Sequence, residues 1–466
     1  MMTSIRRRWR AEGGYRQVLG LAVPLVLSTG SWSVQGFINR MFLTWHSPES
    51  LAAAMPASMV NYAIMSIFIS TAGYVSTFVA QYHGAGQDHK VGRTLWQSVF
   101  VALAATLVNL LLIPAAPGFF RIVGHQPAVQ AEEVLFFRIL CLGAFPAVMA
   151  SALSGMLSGL GRTTPVMAVT LSATGVNILL DWLLIFGHLG FPALGIAGAG
   201  WASVAAGTVQ LVAFSFIIFG RRYRERFRTS QWRPDAAALG ALLRYGLPAG
   251  IQFFIDMAGF TSFILLVGRL GRDELAATNL AFNVNTIAFM PMIGIGITVS
   301  VLVGQSLGKG DPARARYAVR SAFDLTFFYM AAVAVLFFLF PRVFLSPFAA
   351  ASDPQTFRSI ERIAVILLRF VAIYTLFDAL NIIFSSAIKG AGDTRFVMWM
   401  ICCLSVGILV VPCFVAITWL HAGVYACWVL ASTYVVALGV AFFLRYRQGK
   451  WETMSVIEEP LTRERG

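Results

Sequence analysis

Long apolar runs recur from one end of the chain to the other, separated by short polar links. Twelve are legible, at roughly 16–45, 52–81, 92–116, 130–157, 163–187, 194–219, 239–268, 274–306, 314–341, 357–388, 394–419 and 422–444. A helix rises about 1.5 Å per residue, so ~20 apolar residues cross a hydrocarbon core of about 30 Å, and each run is long enough. The pattern predicts an all-α polytopic membrane protein with twelve transmembrane helices. No link resembles a soluble domain. The longest, 221–238, is basic and divides the chain into an N-terminal half (1–220) and a C-terminal half (239–446), with a tail at 447–466.

The halves repeat one another. LAVP at 21–24 lies over YGLP at 245–248, an offset of 224. The same offset sets SLAA at 50–53 over ELAA at 274–277, and VAQYHGAG at 79–86 over VGQSLGKG at 303–310. Further along, GLGRTTPVM at 159–167 lies over GAGDTRFVM at 390–398 at an offset of 231, which also pairs Arg138 with Arg369. Two six-helix halves with an even span count share one orientation, so a pseudo-twofold along the membrane normal is expected to relate them.

Composition and charge refine this picture. Of 466 residues, 58% are hydrophobic and 12% charged, against about 25% charged in soluble domains. The net charge of +14 is spread over the links rather than gathered in one domain, which points away from nucleic acid and toward membrane topology. Of the 35 Lys and Arg residues, 26 fall on the side of the N-terminus. Six fall opposite (Arg121, Arg269, Arg272, Arg342, Arg358, Arg362), and Arg40, Arg138 and Arg369 lie within spans. That bias predicts cytoplasmic termini on both ends. The first apolar run is too long for a signal peptide and reads as an uncleaved span. Five cysteines sit in apolar segments without CxxC spacing, which argues against a disulfide framework or zinc site, and the six histidines form no HExxH.

Carboxylates inside the spans carry the candidate chemistry. An aspartate at the centre of a membrane helix costs about 2.5–3.5 kcal/mol on insertion scales, so it calls for a function or a partner. Asp256 lies in the middle of the seventh run and Asp378 deep in the tenth; their repeat mates are Trp32 and Ala147, so these acids distinguish the halves. Asp324 follows Arg320 by four residues, a spacing that predicts a local pair. Asn177 and Asp181 share one face of the fifth run, an arrangement that suits a small cation or a neighbouring helix equally. Arg40 is expected to snorkel, and Arg138 and Arg369 to pair structurally. GQSLGKG at 304–310 lacks phosphate-loop spacing, and GAGD at 390–393 has the repeat mate GLGR, so neither an ATPase nor an intramembrane protease is expected.

Taken in order, these motifs resemble the multidrug and toxin extrusion (MATE) family over about residues 15–445. They are LAVP at 21–24, QYHGAG at 81–86, SGLGRTTP at 158–165, GIAGAGWAS at 195–203, YGLPAGIQFF at 245–254, FMPMIGIG at 289–296, VGQSLGKGD at 303–311 and KGAGDT at 389–394. The similarity is greatest to the bacterial NorM-like branch. The resemblance implies an exporter of organic, often cationic, compounds that works by alternating access in exchange for Na⁺ or H⁺. It places Asp256 and Asp378 at the family's C-half cation site, where Na⁺ would bind, with Tyr374 one turn before Asp378 and Phe289 of the FMP motif in the cavity. In the N-terminal half, Asn177, Asp181 and Ser203 match a second cation site, but Asn39 stands where an aspartate is usual. An amide can coordinate a cation through its oxygen but cannot carry a proton, which shifts the expected coupling toward Asp256 and Asp378.

The resemblance further implies a monomer in the bacterial inner membrane, with no cofactor beyond the coupling ion and a small cationic or amphipathic substrate. The alternative within the superfamily is an exporter or flippase of a lipid-linked or biosynthetic product. Twelve spans with acidic interior residues argue against it. An enzyme is not expected, because no nucleophile, metal or cofactor pattern survives.

Overall fold

The computed structural model describes residues 9, 11–349 and 354–457. The last part of the tail and the arginines ahead of Trp9 therefore lie outside the described residues. Among the described residues every regular element is helical. Eleven helices are long and apolar enough to cross a membrane, and one bent pair makes a twelfth. In the N-terminal half these are α1 (Tyr15–His46), α2 (Pro48–Gly84), α3 (Asp88–Ile122), α4 (Pro127–Leu142 with Ala144–Gly159), α5 (Thr163–Phe186) and α6 (Ile196–Ile218). The C-terminal half has α7 (Ala236–Val267), α8 (Arg272–Gly308), α9 (Pro312–Leu339), α10 (Phe357–Ala391), α11 (Thr394–Thr418) and α12 (Val424–Arg447). All twelve apolar runs are found as helices.

These helices are apolar on most faces, as expected where lipid replaces water. Leu111, Phe216 and Phe328 are two-thirds or more exposed, and hydrocarbon tails can cover such side chains at no penalty. The internal repeat is visible in the packing. α4 packs against α2, α3 and α6, while its repeat mate α10 packs against the corresponding α8, α9 and α12. The two hubs differ in shape. α4 bends by 48° at Gly143, just ahead of Pro146, which stands in the first turn of the second segment, where its missing N–H forfeits no intrahelical hydrogen bond. α10 runs unbroken through the equivalent position, which is Tyr374.

The chain forms two compact units, and their limits fall inside helices. Among the described residues, one comprises those up to Val26 with those between Gln252 and Ser455; the other comprises Leu27–Ile251 with Val456 and Ile457. Each half therefore surrenders the start of its first helix. In the first unit, a Cβ on Gly294 of α8 would stand 2.7 Å from the backbone nitrogen of Val26, so only glycine admits α1 at this distance. In the second, a Cβ on Gly246 of α7 would stand 2.8 Å from the Thr71 carbonyl oxygen, and the Thr71 hydroxyl lies 3.3 Å from the Gly246 carbonyl oxygen.

The basic link is ordered and belongs to the second unit. It holds a short helix, Arg221–Phe227, whose Tyr223 and Phe227 are buried. Trp96 of α3 donates to the Thr229 carbonyl at 2.8 Å, Gln97 donates to that of Arg233 at 3.1 Å, and Arg93 pairs with Asp235. The Arg93 guanidinium, helped by the Ala238 N–H, holds the Asp235 carboxyl below its ordinary range.

Two outcomes follow from this packing. In Gly390→Ala the new Cβ would meet the Ser300 carbonyl oxygen at 2.6 Å and its Cα at 2.9 Å, both backbone atoms. Overpacking of about 1–3 kcal/mol should outweigh the ~0.5–1 kcal/mol that alanine gains in a helix, lowering the thermal midpoint of the purified protein. For Asp235, a native pKa below the unfolded value gives stability that is present above the ordinary value of about 3.9 and lost as pH falls through the lower native value. The pair is partly exposed, so Asp235→Asn should lower the midpoint at pH 7 by the equivalent of about 0–1 kcal/mol, with the difference vanishing below the native titration.

Candidate functional site

In the first unit, polar side chains from four helices meet inside an apolar environment. α7 supplies Gln252 and, one turn later, Asp256; α10 supplies Asp378, Asn381 and Lys389; α11 supplies Ser405; and α12 supplies Tyr434. The Tyr434 hydroxyl donates to Asp256 Oδ1 at 3.1 Å. Ser405 in turn hydrogen-bonds Tyr434. Lys389 donates from Nζ to Gln252 Oε1 at 3.4 Å, and its charge attracts that of Asp256. Asp378 is nearly buried, hydrogen-bonds Asn381, and lies close enough to Asp256 for the two negative charges to repel.

Local sequence explains this convergence. A spacing of four puts Gln252 and Asp256 on one face of α7. Gly259, one further turn along, lets α11 approach at Ser405. Ser405 also opens a π-helical turn, Ser405–Val410, and such turns concentrate where a helix must redirect a side chain. Tyr374 lies one turn before Asp378, is 4% exposed, and senses its charge. Phe289 packs with Met292, Met330 and Ala379, the residue that follows Asp378.

In the second unit the structure brings Asn39 of α1 against Asp181 of α5. With its amide oriented as the acceptors require, the Asn39 nitrogen donates to both carboxylate oxygens, that of Oδ1 at 3.1 Å. Asp181 is fully buried. Asn177, one turn earlier, is also fully buried, and neither its amide oxygen nor its nitrogen has a hydrogen-bond partner among the described residues. Ser203 of α6 donates to its own helix at the Ala199 carbonyl, 3.0 Å away. The arrangement offers carboxylate and amide oxygens, which are hard donors suited to Na⁺, with Asn39 already engaged as a donor.

The remaining intramembrane charges have local partners. Arg138 donates to the Ile113 carbonyl on α3 at 3.2 Å, and its repeat mate Arg369 lies over the Phe338 ring of α9, 5.6 Å from the centroid. Arg40 donates to the Gly36 carbonyl one turn back. Asp324 accepts from the Tyr15 hydroxyl at 3.0 Å, a partner 309 residues away in sequence that local spacing could not reveal. Sequence reasoning also missed Tyr434, Gln252 and Ser405, which look like ordinary members of apolar runs. Lys389 was legible only as one more positive charge at a cytoplasmic helix end.

Comparison with known proteins supplies the lineage. The MatE family model matches residues 24–183 and 248–415, well over half of the chain. The chain is 30% identical over 400 residues to the "Probable multidrug resistance protein NorM" of Pseudomonas putida, covering 84% of this chain and 86% of that protein. It is 29% identical over 402 residues to the "Multidrug resistance protein PmpM" of Pseudomonas aeruginosa, covering 85% and 82%. Among solved structures, an outward-facing multidrug resistance MATE family transporter of the MOP superfamily superposes with a TM-score of 0.86 at 18% identity, covering 96% of this chain and 98% of the other. A MOP superfamily transporter from Pyrococcus furiosus gives 0.85 at the same identity and coverage. With the family model spread over both halves and the fold shared nearly end to end, the chain belongs to the MatE family of transporters.

Proposed function

We propose that this protein is a secondary active transporter that exports small organic compounds, cationic or amphipathic, from the cytoplasm in exchange for Na⁺ or H⁺. The observation that carries this reading is the convergence of Asp256 and Asp378 within an apolar helical unit, with Tyr434 bound to the first and Asn381 to the second. Two carboxylates at bilayer depth attract a cation from either side, and intramembrane acids of this kind mark ion and substrate paths. The multidrug names of the relatives agree with such a cargo. Two acids against a single lysine among the grouped side chains favour it over a phosphate-bearing lipid-linked product.

In this reading the halves 1–220 and 239–446, joined by 221–238, are the bodies that alternate access, and the protein works as a monomer in a bacterial inner membrane with both termini cytoplasmic. Asp256 and Asp378 are loaded from outside with the coupling ion or from inside with substrate. A ligand shifts the inward–outward equilibrium only by its differential affinity for the two states. A one-for-one exchange of monovalent cations moves no net charge across a potential worth about 2.3 kcal/mol per charge per 100 mV, so it runs on the ion's concentration gradient. Tyr374 and Phe289 supply aromatic faces beside Asp378 for a flat cation. Asn39, Asn177, Asp181 and Ser203 form a second cation site in which Asn39 can coordinate a cation but cannot carry a proton, which shifts the weight of coupling toward Asp256 and Asp378.

In proteoliposomes with sodium and proton gradients imposed separately, Asp256→Asn and Asp378→Asn should each reduce counter-ion-driven efflux at least about tenfold, the effect of ~1.4 kcal/mol. Unchanged efflux in both variants would falsify the mechanism. Coupling should also be unequal between the halves. Asp181→Asn is expected to retain a larger share of driven efflux than either C-half variant, and the reverse order would move the coupling to the other site.

A further inference from the structure

Lys389 sits in the last turn of α10, a position from which a lysine ordinarily extends its head to the polar interface. Side chains on a helix lean toward its N-terminus, however, so from this end of α10 Lys389 reaches back into the span. Its ammonium is held there by the Gln252 amide at 3.4 Å. Gln252 is 8% exposed and lies one turn before Asp256 on the same face of α7. Through Gln252 the ammonium lies about one helical turn from the carboxylate to which Tyr434 donates at 3.1 Å, near enough for the two charges to attract, and Asp378 is near enough to Asp256 for theirs to repel. Formal counting then changes the site. Two ionised carboxylates alone carry −2; with Lys389 charged, the three side chains carry −1.

We propose that Lys389 is a built-in counter-cation of the C-half cluster, offsetting one of its two carboxylates so that the cluster takes a single monovalent cation at a time and can release it. The inference rests on the assignment of Asp256 and Asp378 to coupling made above. Its physical content is a balance of attraction. A cluster at −2 in a low-dielectric surrounding would hold a first cation too tightly to let it leave and would draw in a second. A cluster at −1 is neutralised by one cation, and the tethered ammonium repels the next. Lys389 is thus a specificity-determining residue for stoichiometry rather than a group that must touch the cargo.

The test uses the purified full-length protein, with Na⁺ and tetraphenylphosphonium each titrated alone by equilibrium dialysis, and tetraphenylphosphonium counterflow measured in proteoliposomes. Lys389→Gln should bind cation about tenfold more tightly than wild type, equivalent to ~1.4 kcal/mol, while counterflow slows. Lys389→Arg, which keeps the charge, should stay near wild type in both. Asp256→Asn should bind more weakly than wild type. The double variant Asp256→Asn with Lys389→Gln has the wild-type formal charge and should recover binding toward it. Wild-type or weaker binding by Lys389→Gln, or a double variant as weak as Asp256→Asn alone, overturns the inference. Should Lys389→Gln fail to fold, the comparison of the double variant with Asp256→Asn decides. The two readings fail separately: unchanged efflux in Asp256→Asn and Asp378→Asn sinks the coupling assignment, whereas lost efflux in both with unaltered cation binding in Lys389→Gln sinks only the role of the lysine.

Discussion

A charged or strongly polar side chain at bilayer depth must find a partner within its own protein, because lipid offers none. Much of this structure is organised by that constraint. Arg138 uses a carbonyl on the adjacent helix and Arg369 an aromatic face, so repeat-related positions meet the same demand with different chemistry. Asp181 takes the Asn39 amide, Asp256 the Tyr434 hydroxyl, and Asp324 the Tyr15 hydroxyl. Each of these contacts ties together helices far apart in sequence. The polar residues therefore fix which apolar helices lie side by side, a choice that hydrophobicity alone cannot make where lipid and side chain are equally apolar.

The duplicated plan has diverged most at its hubs. α4 and α10 occupy the same place among their neighbours, yet Gly143 permits a sharp bend where Tyr374 continues a straight helix. An unbroken α10 carries Tyr374, Asp378, Asn381 and Lys389 on one rigid rod, each group held in register with the others. The bent α4 carries Ala147 where α10 has Asp378. The N-half set comes from α1, α5 and α6, the repeat mates of α7, α11 and α12, so the two polar centres share three helix positions and differ at the hub, which contributes an acid only in the C-terminal half.

Twelve helices, their limits to within about four residues except the end of α3, which continues past 116 to Ile122, and the repeat were legible in the sequence, because membrane spans are set by length and hydropathy and the repeat by short motifs at constant offset. The deep acids were legible because a charge in an apolar run stands out. Their partners were not. Tyr434 sits 178 residues from Asp256 and looks like any other aromatic in an apolar helix. Lys389 was hidden for the opposite reason: at a cytoplasmic helix end, a lysine already has an adequate explanation in topology. The hydrogen bond from Tyr15 to Asp324 shows the same limit, since i,i+4 spacing reveals neighbours on one helix and nothing about the next.

The division of α1 at Val26 and of α7 at Ile251 has a consequence for how the chain is made. The opening turns of α1 leave the ribosome well before the glycine against which Val26 packs, Gly294, which is synthesised some 270 residues later. The N-terminal unit likewise lacks its final helical segment until the start of α7 has been translated. Each compact unit thus includes the opening part of the other half's first helix, so a cut between the halves at 221–238 would separate each unit from a segment that packs within it.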